Sequence, residues 1–283
     1  MVANARARGR PRSFHDSSAG SVIQSLDRAI ELLKVVSTGN GMSLTEVATA
    51  SGHPASSAYR ILLTLQKHGV VEFVETEQLW YVGLTAFRIG STFLGRTRIV
   101  EQSRPVMQHL MATTGETANL AIVDRNEVIF ISQVETHEPI RAFFRPGTRG
   151  PIHASGIGKA LMAYYPPQHL DEILGSHLER YTPRTLTDAD ALGDELERIR
   201  VRGWAVDDEE RTIGMRCVAA PVFNQSGEAV AGLSLSGPSV RVTPDRDQEY
   251  GAMVRASADA VTGAIGGILP PTTGRHASSG GRS

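Results

Sequence analysis

The chain has 283 residues, 41% hydrophobic and 21% charged, with a net charge of −1 at pH 7, the composition of an ordinary folded protein long enough for two domains. No apolar run approaches the roughly 20 residues that span a bilayer, and the amino terminus MVANARARGRPRSFHDSSAGS lacks the apolar centre of a secretory signal. The single cysteine, Cys217, excludes an intramolecular disulfide and a cysteine-cluster zinc site, and a cytoplasmic protein without membrane contact is expected.

The charge is unevenly placed. Up to Arg98 there are 11 Lys and Arg against 7 Asp and Glu, leaving 18 against 23 beyond it. A basic head on an acidic body suits a head that meets a polyanion. Residues 1–21 are rich in Arg, Gly, Ser and Ala and read as a disordered arm. Its segment Arg8-Gly9-Arg10-Pro11-Arg12 resembles short stretches that lie in the narrow minor groove, where negative potential attracts arginine. The alternative for the arm is a solubilising tail.

From Val22 a helix is predicted, with Val22, Leu26, Ala29, Ile30, Leu33 and Val36 as its apolar stripe. After Gly39-Asn40-Gly41, Ser43 and Glu46 form a capping box that opens a short second helix, with Leu44, Val47 and Ala48 inward. A third helix is predicted from Pro54 to Lys67 or His68, ended by Gly69 in a left-handed turn. Ala58, Ile61, Leu62 and Leu65 face the core, leaving Ser56, Ser57, Tyr59, Arg60 and Thr64 outside. This is a helix-turn-helix pattern whose last helix offers polar side chains for base edges. Val70–Val74 and Leu79–Val82 add a hairpin around residues 75–78, which a plain helical bundle has no need of; it reads as a wing. Residues 22–84 are therefore expected to form a winged helix-turn-helix, with Arg10, Arg12, Arg28, Ser56, Ser57, Tyr59 and Arg60 as candidate DNA contacts.

A linker helix is expected over 85–98. Residues 99–268 read as an α+β domain with an antiparallel sheet. Its strands are predicted at Asn119–Val123, Val128–Val134, Ile140–Phe144, Cys217–Phe223 and Ala229–Ser236. Helices are predicted around Val106–Met111, at Ser155–Tyr164, Gln168–Leu174 and Asp188–Arg202, and last at Pro244–Ile265. Residues 269–283 read as a disordered tail.

The segments SLDRAIELLKVV, LTEVATASG, SSAYRILLTLQKHGVVE, YVGLTAFRIG, RPVMQHLMATTGETANLAI, HASGIGKALMA and RGWAVDDEERTIGMRCVAAPVFNQSGEAVAGLSLSGP, in this order, resemble the IclR family of bacterial regulators. The resemblance implies a homodimer or dimer of dimers on a palindromic double-stranded operator, with a GAF- or PAS-like domain that senses a small metabolite. Within the family it looks closest to members answering glyoxylate or related oxo-acids. Carried over residue by residue, the effector pocket falls on Ser155, Gly156, Asp207, Met215, Cys217, Ser234 and Ser236. The amides at Ser155, Gly156 and Ile157 would receive a carboxylate. Ser234 and Ser236, two apart on a strand, point to one side. Asp207 is odd beside an anion unless it is protonated, accepts from a hydrated aldehyde, or orients a neighbour.

Two other readings compete. Cys217 assisted by His153 would make a hydrolase, but Met-Arg-Cys-Val-Ala-Ala-Pro offers no basic partner for a thiolate. An architectural DNA binder without effector would not need about 170 residues of sensor-like domain. No enzyme activity, cofactor or metal site is expected, because the nine histidines show no paired spacing with a third ligand nearby.

Overall fold

The computed structural model describes residues 23–270, apart from the side chains of residue 91 and residues 93–97. They fall into two compact units, the first ending at Gly95 and the second beginning at Arg96.

The first unit holds α1 (Gln24–Thr38), α2 (Leu44–Ser51), α3 (Ala55–Lys67) and a hairpin of β1 (Val71–Val74) and β2 (Leu79–Val82). The capping box forms: the Ser43 amide donates to Glu46 Oε2 at 2.7 Å, and the Glu46 amide to Ser43 Oγ at 3.3 Å. Leu32, Val36, Val47, Ala58, Leu62, Val71 and Trp80 make one buried cluster, with Phe73 against Trp80 at 4.8 Å between ring centres. Met42 and Trp80 exchange backbone hydrogen bonds of 3.0 and 2.8 Å, which ties the loop before α2 to the wing. The predicted stripe on α1 needs correction. Of the stripe, Val36 is buried and Leu33 packs against the same cluster, whereas Leu26 is 58% and Ile30 44% exposed and Leu32, outside the stripe, is buried. Leucines at 26, 32 and 33 give α1 two overlapping helical stripes, and only the position of α2 and α3 selects between them.

Helix α4 (Leu84–Thr97) follows the wing. The second unit is a six-stranded antiparallel sheet in the order β5-β4-β3-β8-β7-β6. Its elements are α5 (Ile99–Thr114), β3 (Thr117–Asp124), β4 (Glu127–Val134), β5 (Arg149–Pro151), α6 (Gly156–Met162), α7 (Pro167–Leu174), α8 (Ala189–Arg202), β6 (Ala205–Asp208), β7 (Met215–Phe223), β8 (Ala229–Pro238) and α9 (Asp247–Ala264). One face packs α5 and α9 on Leu120, Val218, Ala220, Leu233 and Leu235. The other carries α6 and α8 on Ala121, Ala205 and Ala219. A sheet covered on both sides explains why β7 and β8 read as nearly unbroken apolar runs.

Two strands escaped the sequence pattern and one predicted strand is absent. Residues 140–144 are irregular, with Ile140 and Phe143 exposed. The place beside β4 is taken by β5, whose Pro151 opposes Glu127. Phe144 instead lays its ring on Phe130, 4.3 Å between centres and 5° from parallel. β5 and β6 are too short, and β6 too polar, to show a period of two.

Helix α6 sits directly on the sheet because glycines allow it. A Cβ on Gly158 would stand 1.9 Å from the Ile152 carbonyl oxygen, and one on Gly232 would stand 2.5 Å from Ile157 Cγ2.

Candidate nucleic-acid interface and ligand site

On α3, burial of Ala58 and Leu62 turns Ser56, Ser57 and Arg60 to solvent. No hydrogen bond or ion pair engages the Arg60 guanidinium among the described residues; only its carbonyl accepts, from Thr64 Oγ1 at 2.9 Å. The helix begins at Pro54 without a side-chain cap, so its first amides are open to an anion. Tyr59 is partly structural: its ring meets Trp80 edge-on at 6.5 Å. Arg28 is exposed on α1, and no hydrogen bond or ion pair joins it to α3 among the described residues. Arg10 and Arg12 lie outside the described residues.

In the second unit, residues opposite one another across strands share a face. Asp207 opposes Cys217, Cys217 opposes Ser236, and Ser236 opposes Thr117. The next row runs Ala205, Ala219, Ser234, Asn119 and Gln133. Both rows lie on the face that α6 covers. Ser155 caps α6, its Oγ accepting from the Gly158 amide at 3.2 Å. The Gly156 and Ile157 amides, at a helix start, have no intrahelical acceptor. A Cβ on Gly156 would stand 3.1 Å from Cys217 Sγ, so the start of α6 lies against the first row. Met215, half-buried, is two residues from Cys217 on the same side of β7. The seven candidate ligand residues are thus on or beside one sheet face.

A polar network underlies them. Asn119 Nδ2 donates to Ser236 Oγ at 3.1 Å and to Ser234 Oγ at 3.4 Å. Gln133 Nε2 donates to Asn119 Oδ1 at 2.8 Å. Both serine oxygens accept from Asn119, and both hydroxyls are directed at the Cys217 sulfur, a weak acceptor. Lys159, buried on α6, donates from Nζ to the Val206 carbonyl at 2.6 Å and pairs with Glu210 Oε1. Asp207 Oδ1 accepts from the Glu210 amide at 2.8 Å. Burial pushes the Asp207 carboxyl up to about 7; the Lys159 ammonium opposes the shift and the Glu210 carboxylate reinforces it. The Cys217 thiol rises to about 11, mainly through burial and then through Asp207. Three open hollows lie away from these rows, one of about 340 Å³ around His153, Tyr181 and Arg211, one of about 510 Å³ between α5 and α9, and one of about 320 Å³ around Tyr164 and Asp259.

Residues 25–75 match the IclR helix-turn-helix domain, and residues 91–263 match the bacterial transcriptional regulator IclR C-terminal domain. The chain belongs to the IclR family. It is 47% identical to the HTH-type transcriptional regulator BhcR of Paracoccus denitrificans over 95% of this chain and 97% of that one. Identity to the transcriptional repressor IclR of Escherichia coli is 38%, over 92% and 97% of the two chains. The crystal structure of Thermotoga maritima IclR superposes with a TM-score of 0.74 at 31% identity, covering 87% of this chain and all of that one. This IclR-family protein is a DNA-binding transcriptional regulator.

The rival hydrolase reading is not favoured. His153 Nε2 is bonded to the Glu179 carbonyl at 2.9 Å, and a thiol titrating near 11 is not a thiolate nucleophile at neutral pH. No group of three His, Cys, Asp or Glu side chains could hold a metal among the described residues, and none of their helices is long and apolar enough to cross a membrane. Sequence reasoning missed Lys159, Glu210, Asn119 and Gln133. Two of these had a signal. Lys159 interrupts the apolar GIGKALM, and Asn119 interrupts TANLAIV; a polar residue on a doubly covered element must find a partner.

Proposed function

We propose that this regulator binds a palindromic operator through α3 and releases or grips it according to occupancy of the sheet face beneath α6 by a small carboxylate, glyoxylate or a related oxo-acid. The observation that carries the reading is the convergence of the α6 start with Ser234 and Ser236, whose hydroxyls are directed at the Cys217 sulfur, a weak acceptor that a carboxylate oxygen would replace. The carboxylate takes the Gly156 and Ile157 amides, and the serine hydroxyls hold its oxygens. The close seat of Gly156 on Cys217 favours an occupant of a few heavy atoms. Residues 22–84 read DNA, 85–98 link and 99–268 sense. A thermal-shift screen of small carboxylates, followed by gel shift on the protein's own upstream DNA, tests the reading, since a true effector raises the melting temperature by mass action. No stabilisation by any oxo-acid would sink it.

On the DNA side, Ser56, Ser57, Tyr59 and Arg60 address base edges, while Arg28 and the arm residues Arg10 and Arg12 address the backbone and minor groove. Arg60→Ala is expected to cost about 1–3 kcal/mol and to relax specificity at one half-site position. Binding titrations on operator and random DNA check this; equal losses on both would mean that Arg60 reads no base.

Pairing is expected because one helix-turn-helix covers one half-site, and two-fold symmetry places recognition helices about 34–36 Å apart or a multiple of it. Ile30 on α1 and Phe87 and Phe93 on α4 are the candidates for the pairing surface, Ile30 and Phe87 being exposed. Sedimentation at micromolar concentration should show a dimer or dimer of dimers. A monomer that still footprints a palindrome would contradict this.

A further inference from the structure

Charge at the sensor face does not balance. Lys159 on α6 is the cation that faces Asp207, and it is already engaged by Glu210 and the Val206 carbonyl. Glu210, from the segment after β6, keeps its second oxygen, Oε2, buried without a hydrogen-bond partner. Cys217 on β7 faces Asp207 as a neutral thiol. An ionised Asp207 would therefore leave this cluster with one net negative charge before any anion arrives.

We propose that binding of a small monocarboxylate at this face takes up one proton on Asp207, so that the neutral acid donates its O–H to a second oxygen of the ligand. The inference rests on the site reading above and goes further, to the ionic form that the site accepts. The balance is simple: ligand monoanion, Asp207 carboxylate and one proton from solvent give a complex holding the monoanion beside Asp207–COOH. Geometry supports it. Asp207 ends the row that runs through Cys217 to Ser236, and its Oδ1 is anchored by the Glu210 amide. Burial already holds the carboxyl at about 7, so a nearby anion completes a protonation that is half made at neutral pH. This answers the difficulty of an aspartate beside a carboxylate. It also defines ligand class: a monoanion bearing an adjacent oxo or hydroxyl acceptor is taken, and a dianion is disfavoured.

The test is calorimetry on the full chain with glyoxylate, pyruvate and oxalate between pH 6 and 8.5, in buffers of low and high ionisation enthalpy. Glyoxylate or pyruvate should bind with uptake of about half a proton at pH 7, approaching one at pH 8, and affinity should fall about fivefold from pH 7 to 8 and nearly tenfold per unit beyond. Oxalate should bind more weakly. Asp207→Asn should bind the monoanions with little pH dependence and no uptake. Should that variant fail to fold, the buffer comparison on the parent decides alone. Binding without proton uptake, a parent pH slope retained in Asp207→Asn, or oxalate binding as tightly as pyruvate overturns proton coupling while leaving the site reading intact. Failure of the parent to bind either monoanion, or undiminished binding by Ser234→Ala, overturns the site reading itself.

Discussion

Replacing Lys159 by methionine is expected to destabilise the sensor unit by about 3–5 kcal/mol, because it strands the Glu210 carboxylate in the interior. The pair is buried on both sides, with side-chain exposures of 1% for Lys159 and 5% for Glu210. Water cannot take over the lost interaction, and Glu210 Oε2 already lacks a hydrogen-bond partner. Methionine keeps the length and apolar stem of lysine, so the loss reports charge rather than volume. Glu210→Met alone should cost a comparable amount, since it leaves a buried ammonium whose one remaining acceptor is the Val206 carbonyl. The double variant should recover most of the stability, because removing both charges removes both desolvation costs. Urea denaturation of the four proteins measures the coupling. Two small single losses, or a double loss equal to their sum, would show that the pair carries no such interaction.

Ser234→Ala and Ser236→Ala should each weaken effector binding by roughly 10- to 150-fold, the equivalent of one charge-assisted hydrogen bond of about 1.5–3 kcal/mol. Each also leaves Asn119 Nδ2 with one acceptor fewer, so the larger end of the range is expected where the amide cannot turn to the other serine. Operator affinity without effector should stay near the parent's, because the serines belong to the second unit and α3 to the first. An effector moves the operator equilibrium only by its differential affinity for the two states, so these variants should bind operator and fail to respond at ordinary effector concentration. Cys217→Ser should be milder than Cys217→Leu, whose bulk would press on the start of α6 at Gly156. Calorimetry with glyoxylate and pyruvate decides: affinities equal to the parent's in both serine variants would place the ligand elsewhere.

Local chemistry was legible where one interaction decides the conformation. The Ser43–Glu46 capping box, the Gly69 turn after α3 and the hairpin around residues 75–78 stand where their residues predicted them, since each is satisfied within a few residues of chain. The order of matching segments was enough to place the chain in its family, and with it the α+β architecture. Choices between equivalent local patterns were not legible. Leu26 and Ile30 continue the spacing of Leu33 and Val36, yet Leu32 fills the core beside Val36 and they do not, because a helix with two apolar stripes has no internal preference between them. Residues 140–144 have the composition of a strand, but the strand that pairs with the start of β4 is β5, at residues 127–129. Glu210 and Gln133 become candidates only through residues far away in the chain. What tertiary structure alone decided at the sheet face beneath α6 is electrostatic. Asp207 and Cys217 are ten residues apart in sequence, and the pairing of β6 with β7 sets them opposite each other. The carboxyl's affinity for a proton then follows from desolvation and from Lys159 and Glu210, none of which a residue's own type or its chain neighbours can specify.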